Sequence, residues 1–182
     1  MNIAKPLDPV TAVQNTLPGV VKNVVKFRDE ITLVVDPAQI VSVVEYLRDT
    51  AGLVYNYLSD ISAVDYWEPS GTHGDRPARF GVCYHLYSML YARRIRVKVY
   101  LDEDEPVVPS VIGVWPAANW LEREIYDLMG VTFTGHPDLR RLQMPDDWNG
   151  YPHRRDYPLG YETVMFSFNV DEIMKHKPFA KE

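Results

Sequence analysis

The stretch RFGVCYHLYSMLYARRIRVKVYL, residues 79–101, decides the fold. In its first half Phe80, Val82, Tyr84 and Leu86 alternate with Cys83, His85 and Tyr87. In its second half Ile95, Val97, Val99 and Leu101 alternate with Arg94, Arg96 and Lys98. Successive side chains of a strand point to opposite faces, so this period of two predicts two half-buried strands. Residues 91–93 leave room only for a tight connection. The predicted sheet has one buried apolar face and one basic outer row.

Working outward, VVKNVVKF (20–27), RDE and ITLVV (31–35) read as two β-branched runs joined by a polar turn, a hairpin. DPAQIVSVVEYLRDTAG (36–52) reads as an amphipathic helix covering one face of the sheet. Asp36 suits the N-cap, Pro37 the first turn, and Gln39 a capping-box position. Ile40, Val43, Val44, Leu47 and Ala51 recur at helical spacing, and Gly52 closes the pattern. LVYNYLSDISAVDYW (53–67) is one strand followed by the start of a second or by a loop, and EPSGTHGDRPA (68–78) is a turn. DEDEP (102–106) ends the sheet in an acidic loop. A second helix is predicted from Pro116 to about Met129, with Gly130 as its C-terminal cap. Its apolar stripe is Ala118, Leu121, Ile125, Leu128 and Met129. Glu122 and Glu124 fall on opposite borders of that stripe, and Arg123 and Asp127, four apart on the far face, are placed to pair. Beyond Gly130 periodicity stops while Pro, Arg, Trp and Tyr remain frequent. Such a segment reads as an extended arm ordered against another surface. The expected organisation is a loose leader (1–18), an α+β domain (19–130) and the arm (131–182).

The 182 residues are 46% apolar, enough for a real core, and carry a net charge of −6, which gives no global sign of nucleic-acid binding. One cysteine, Cys83, excludes an internal disulfide, an iron–sulfur site built from four cysteines or a zinc ribbon, and in its apolar run it reads as a buried structural thiol. The first residues lack an apolar run suited to a signal peptide, and no stretch reaches the roughly 18 apolar residues of a membrane span. The expectation is an intracellular chain that meets a membrane only through a partner.

The charges crowd into NWLEREIYDLMG (119–130) and the segment after it. Glu122, Glu124, Asp127 and His136 are the residues an enzyme would use. The two glutamates diverge by about 160° on a helix that turns about 100° per residue, and paired carboxylates must converge for acid–base work. His136 lacks companion ligands at metal-site spacing, and no calcium-type loop surrounds Asp60 and Asp65. Phosphate-binding glycine loops and the GxSxG elbow are absent. Arg140, Arg141, Arg154 and Arg155 interleave with Asp138, Asp146, Asp147 and Asp156, so local charge nearly cancels. Arginine–carboxylate forks at a protein interface fit better than nucleic-acid binding, with Trp148, Tyr151 and Tyr157 as anchors.

GVWPAANWLEREIYDLMGVTFTGHPDLRRL (113–142) followed by PDDWNGYPHRRDYPLG (145–160) closely resembles the C, or 30-kDa, subunit family of the proton-pumping NADH–quinone oxidoreductase, respiratory complex I. The upstream order of segments is similar too, so the resemblance spans about residues 20 to 160. Gln143, His153 and Arg155 depart from the residues usual in that pattern. The resemblance implies an α+β fold, a mixed sheet with helices on one face and then a long extended C-terminal arm. It implies a non-catalytic subunit of the peripheral arm, on the cytoplasmic face of the membrane. No cofactor is expected in this chain; NADH, flavin, iron–sulfur clusters and quinone belong to partner subunits. The implied partners are the hydrogenase-like large subunit of the quinone site, the small iron–sulfur subunit beside it and other peripheral-arm subunits, with no nucleic acid. Glu122, Arg123, Glu124, Asp127, His136, Pro137, Arg140, Arg141, Arg155 and Asp156 stand at signature positions, and their implied role is to fix the arm and its partner contact. Two alternatives stay open: the equivalent subunit of a complex I relative that uses ferredoxin or reduced deazaflavin or evolves hydrogen, and a free-standing enzyme built on the acidic helix and His136.

Overall fold

The computed structural model describes residues 4–157. In chain order the elements are α1 (Pro9–Thr16), β1 (Val21–Phe27), β2 (Glu30–Val35), a 3-10 turn (Pro37–Gln39), α2 (Ile40–Asp49), β3 (Tyr57–Asp65), β4 (Phe80–Ser88), β5 (Arg93–Leu101), β6 (Val107–Pro109), α3 (Ala118–Met129) and β7 (Thr132–Thr134). Five strands form a mixed sheet in the order β1-β2-β5-β4-β3. All neighbours are antiparallel except β2 and β5, which run parallel.

The alternation in residues 79–101 is the centre of this sheet. Phe80, Val82, Tyr84, Leu86, Ile95, Val97, Val99 and Leu101 are buried and share one core with residues of all three helices. On α2, Ile40, Val43, Val44 and Leu47 have no exposed surface, each such side chain contributing about 1.5–3 kcal/mol. The fold is therefore α+β, with the helices on one face. β3 settles the alternatives for residues 53–67: one strand, then a loop. A register shift between Leu58 and Asp60 puts Ser59 out of step. That bulge lets Leu58 and Ile61, three apart, both face the core.

Several expectations need correction. Residues 1–18 are not a loose leader over the part described. Asp8 accepts the Thr11 N–H at 2.9 Å, Pro9 takes the first turn, and α1 buries Val13 completely. This is the same Asp–Pro start signal as at Asp36–Pro37. Leu7 also donates its N–H to the Gly52 carbonyl, and Arg93 donates to the Leu7 carbonyl. Gly52 is consequently not the helix cap. α2 stops at Asp49, and Gly52 stays bare because a Cβ there would lie 2.8 Å from the Lys5 carbonyl oxygen. Asp36 caps the 3-10 turn rather than α2, and the Gln39 side chain makes no cap bond. Nor does the domain end at Gly130: β7 follows at once and pairs in parallel with β6. Of the expected arm, residues 135–157 have no helix or strand, and residues 158–182 lie outside the described part.

α3 ends as expected, with Gly130 left-handed at φ 74° and donating to the Tyr126 carbonyl. A Cβ there would lie 2.5 Å from a Tyr151 ring carbon and 2.7 Å from an Arg154 nitrogen. Gly130→Ala is expected to cost about 2 kcal/mol, from left-handed strain plus displacement of the arm. Chemical denaturation of the two proteins checks this.

Candidate functional site

The signature charges of α3 hold two separate parts of the chain, residues 110–111 and residues 140–144. Glu122, predicted at a border of the stripe, is inside the core with no exposed surface. One carboxylate oxygen accepts the Val111 N–H at 2.7 Å and the other the Ser110 hydroxyl at 2.6 Å. Glu122 thus fixes the chain just after β6. Burial pushes this carboxyl above its ordinary 4.5, and the Ser110 and Val111 bonds and nearby His136 only partly offset it. A raised folded value contributes stability that is complete below the unfolded value and lost as pH rises through the folded one. Glu122→Gln keeps the shape and the bond from Val111 without the buried charge. Its melting temperature at pH 7 is expected to be no lower than the parent's, and flatter with pH above about 4.5; thermal melts across pH check this.

Arg123 and Asp127 do not pair with each other. Arg123 is buried, donates to the carbonyls of Arg140 and Arg141 at 3.2 Å each, and stacks on Trp120. Asp127, with no exposed surface, receives the arm. One of its oxygens accepts the consecutive N–H groups of Leu142, Gln143 and Met144 at 3.0, 2.6 and 2.9 Å, and the other accepts Arg141 at 2.8 Å. Burial alone would raise its pKa, but bonds from Met144, Arg141, Gln143 and Leu142 together bring it below 3.8. Arg141 also donates to the Trp148 and Gly150 carbonyls, so one ion pair folds the loop between residues 141 and 150. Glu124 accepts from the Gln143 side chain at the surface. Gln143, a departure from the family pattern, thereby gains a polar partner.

The next turn of the arm covers the C-terminal end of α3. His153 donates its N–H to the Leu128 carbonyl and Arg154 its side chain to that of Met129. A cation here satisfies a terminal carbonyl and complements the helix dipole. Arg155 donates its N–H to Asp65, and Asp156 accepts from Arg79 at 2.6 Å. Arg79, 2% exposed, forks onto both oxygens of Asp65 at 3.0 and 2.9 Å and also reaches Glu103. Burial would raise the Asp65 pKa, but Arg79 and the N–H groups of Arg155 and Trp67 hold it below 3.8.

Arg79 and Glu103 are the site residues that sequence reasoning missed; Asp65 stands there only as a cation-ligand candidate and Arg154 only as one of the interleaved arginines. Apart from the Trp67 N–H on Asp65, the partners that build this cluster lie 14 to 90 residues apart. The visible signal was an arginine immediately before a largely apolar strand. His136 is settled locally: its Nδ1 accepts the Asp138 N–H at 3.1 Å, and its Nε2 lies 3.4 Å from the Asn119 carbonyl. Pro137 lies in the exposed turn after it. Arg140 is 72% exposed in its side chain and among the described residues pairs only with Asp138, at the surface. Glu122 thus faces residues 110–111 while Glu124 and Asp127 both bond the arm at Gln143, one its side chain and the other its N–H, so no single group is shared by all three carboxylates. Among the described residues, no group of three or more His, Cys, Asp and Glu is placed to hold a metal, and no helix is long and apolar enough to cross a membrane.

Residues 33–163 match the family model for the respiratory-chain NADH dehydrogenase, 30 Kd subunit. The chain belongs to that family. The NADH-quinone oxidoreductase C subunit of Roseiflexus sp. (strain RS-1) is 45% identical over 179 residues, covering 97% of this chain and 99% of the relative. The protein of the same name from Methylobacterium sp. (strain 4-46) is 51% identical over 161 residues, 87% and 71% of the two chains. Among solved structures, a trypsin-resistant fragment of Nqo5 superposes with TM-score 0.57 at 32% identity, covering 64% of this chain and 89% of the fragment. A chain of the membrane-bound sulfane sulfur reductase, an archaeal respiratory complex, shares the fold with TM-score 0.60 at 22% identity, over 95% and 94%. The 30 Kd family member described here is thus a complex I subunit type, related to proteins named for NADH–quinone oxidoreduction. It combines the family's mixed sheet with an arm seated on α3 by buried charges.

Proposed function

We propose that this chain is a non-catalytic scaffold subunit of the peripheral arm of NADH:quinone oxidoreductase, on the cytoplasmic face of the membrane. It supports electron transfer from NADH through iron–sulfur clusters to quinone, coupled to proton translocation, by fixing neighbouring subunits relative to one another. The proposed neighbours are the hydrogenase-like large subunit of the quinone site and the small iron–sulfur subunit beside it. In this reading the redox groups belong to the partner subunits, and the single cysteine, Cys83, buried in a strand, supplies no set of thiolates for an iron–sulfur cluster.

One observation carries this reading. The signature charges Glu122, Arg123 and Asp127, buried, and Arg141, half-buried, are spent on backbone groups, on the Ser110 hydroxyl or on each other, and Arg123, Asp127 and Arg141 together set the path of the arm. They build a surface rather than a reaction centre. What the path presents outward is Trp120, 59% exposed, with Arg140, Arg155 and Pro137. Exposed Trp and Arg are the residue types that dominate protein interfaces.

The test is purification of the tagged chain from detergent-solubilised membranes. The expected eluate contains iron–sulfur subunits and NADH-dependent quinone reduction. A chain that elutes alone and carries a flavin, metal or cluster, or converts a small molecule unaided, overturns the proposal.

A further inference from the structure

The three helices share the core on one face of the sheet, and the opposite face has no helix on it among the described residues. Strand register defines its rows. Tyr57, Tyr87 and Arg94 form one row, Asp60, His85, Arg96 and Thr32 the next, and Ser62, Cys83, Lys98 and Val34 the third. The loop after β3 closes only the far end, where Lys98 donates to the Tyr66 hydroxyl and lies over the Tyr66 and Tyr100 rings. Among the described residues the other end stays open. Tyr57 is 52% exposed there, and Met89, whose N–H bonds Asn56 beside Tyr57, is 66% exposed. The first two rows border a cleft of about 320 Å³ lined by Glu30, Asp60, His85, Arg94 and Arg96 among others.

Charge on this face runs against the chain. The protein carries −6 overall, yet the central strand presents Arg94, Arg96 and Lys98 in a line. Two of these are engaged, Lys98 by its tyrosines and Arg96 by Glu30 at 2.9 Å. Arg94 is exposed, stacks on Tyr87 and has no carboxylate among the described residues. The remaining carboxylate of the cleft, Asp60, sits opposite His85, toward the edge strand. A stacked arginine without an anion, flanked by exposed Tyr and Met, has the composition of an interface centre and the sign to receive a carboxylate.

We propose that this open end of the outer face docks an acidic segment of a neighbouring protein subunit, with Arg94 on its carboxylate and Tyr57 and Met89 packed against its apolar part. The inference rests on the scaffold reading, and adds a second contact surface away from α3 and the arm. The test places a photo-crosslinking phenylalanine analogue at Tyr57 in the complete membrane complex and identifies the adduct by mass spectrometry. The expected adduct is an Asp/Glu-rich peptide of another subunit. Its yield should fall about tenfold or more with Arg94→Glu and stay within about twofold with Arg94→Lys, as for reversal and retention of one interfacial charge. Tyr57 and Arg94 are exposed, so both variants should melt like the parent, which separates docking from folding. No adduct, or an adduct with lipid, a second copy or this chain's own residues 158–182, with the chain present in the complex, overturns this inference alone. A chain missing from the complex overturns the scaffold reading as well.

Discussion

Replacing Asp127 with alanine is expected to lower the stability of the isolated chain by about 3–5 kcal/mol, the range for removing one partner of a buried ion pair. The loss has two parts. The Arg141 guanidinium, 17% exposed in its side chain, is left without its anion. The N–H groups of Leu142, Gln143 and Met144 lose their common acceptor, and an unsatisfied buried donor costs about 1–3 kcal/mol. The arm can recover part of this by detaching into water, so the visible result should be selective release of residues 141–150. Trypsin cleavage at Arg140 and Arg141 should then outrun unfolding of the sheet. Denaturant melts and timed proteolysis together check the prediction. Cleavage as slow as in the parent would show that Asp127 does not hold the arm.

The second large effect belongs to Arg79. Arg79→Met removes the only cation bonded to Asp65, Glu103 and Asp156 among the described residues. Asp65, with 1% of its side chain exposed, keeps the N–H groups of Trp67 and Arg155 but no positive charge. The expected cost is again about 3–5 kcal/mol, and Asp65→Asn in the same chain should recover a large part by neutralising the stranded carboxylate. A double-mutant cycle on melting free energies measures that coupling. The two sites share a pH signature. Asp65 and Asp127 are both held below their ordinary 3.8. Depressed folded values give stability that is present above the unfolded value and lost as pH falls through the folded one. Acid should therefore loosen the arm at both ends, and Arg79→Met or Asp127→Ala should each flatten the decline below about pH 4.

Where the determinants were local, the sequence was legible. The period of two in β4 and β5, the period of 3.6 in α2 and the left-handed Gly130 each follow from a few adjacent residues. α1 carried an equally local signal in Asp8–Pro9, but too few apolar residues follow it to form a stripe. β6 and β7 are three residues each and pair across a whole helix, so no periodicity reveals them. For the site, local geometry misled. Arg123 and Asp127 are four apart and suited to pair on an isolated helix, yet each meets better partners in the arm. Glu122 looks like a surface acid until Ser110 and Val111 arrive from outside the helix. Arg79 and its carboxylates lie far apart in the chain, and only the folded sheet end brings them together.

The central claim is that the ionic junction of α3 and the arm builds a contact surface and takes no part in chemistry. The most direct test introduces Asp127→Ala into the full complex and measures two quantities: the amount of complex assembled in membranes, and quinone reduction per assembled complex. The account predicts that the amount falls severalfold while turnover per complex stays near the parent's. Assembly at parental levels with a collapsed turnover would contradict it.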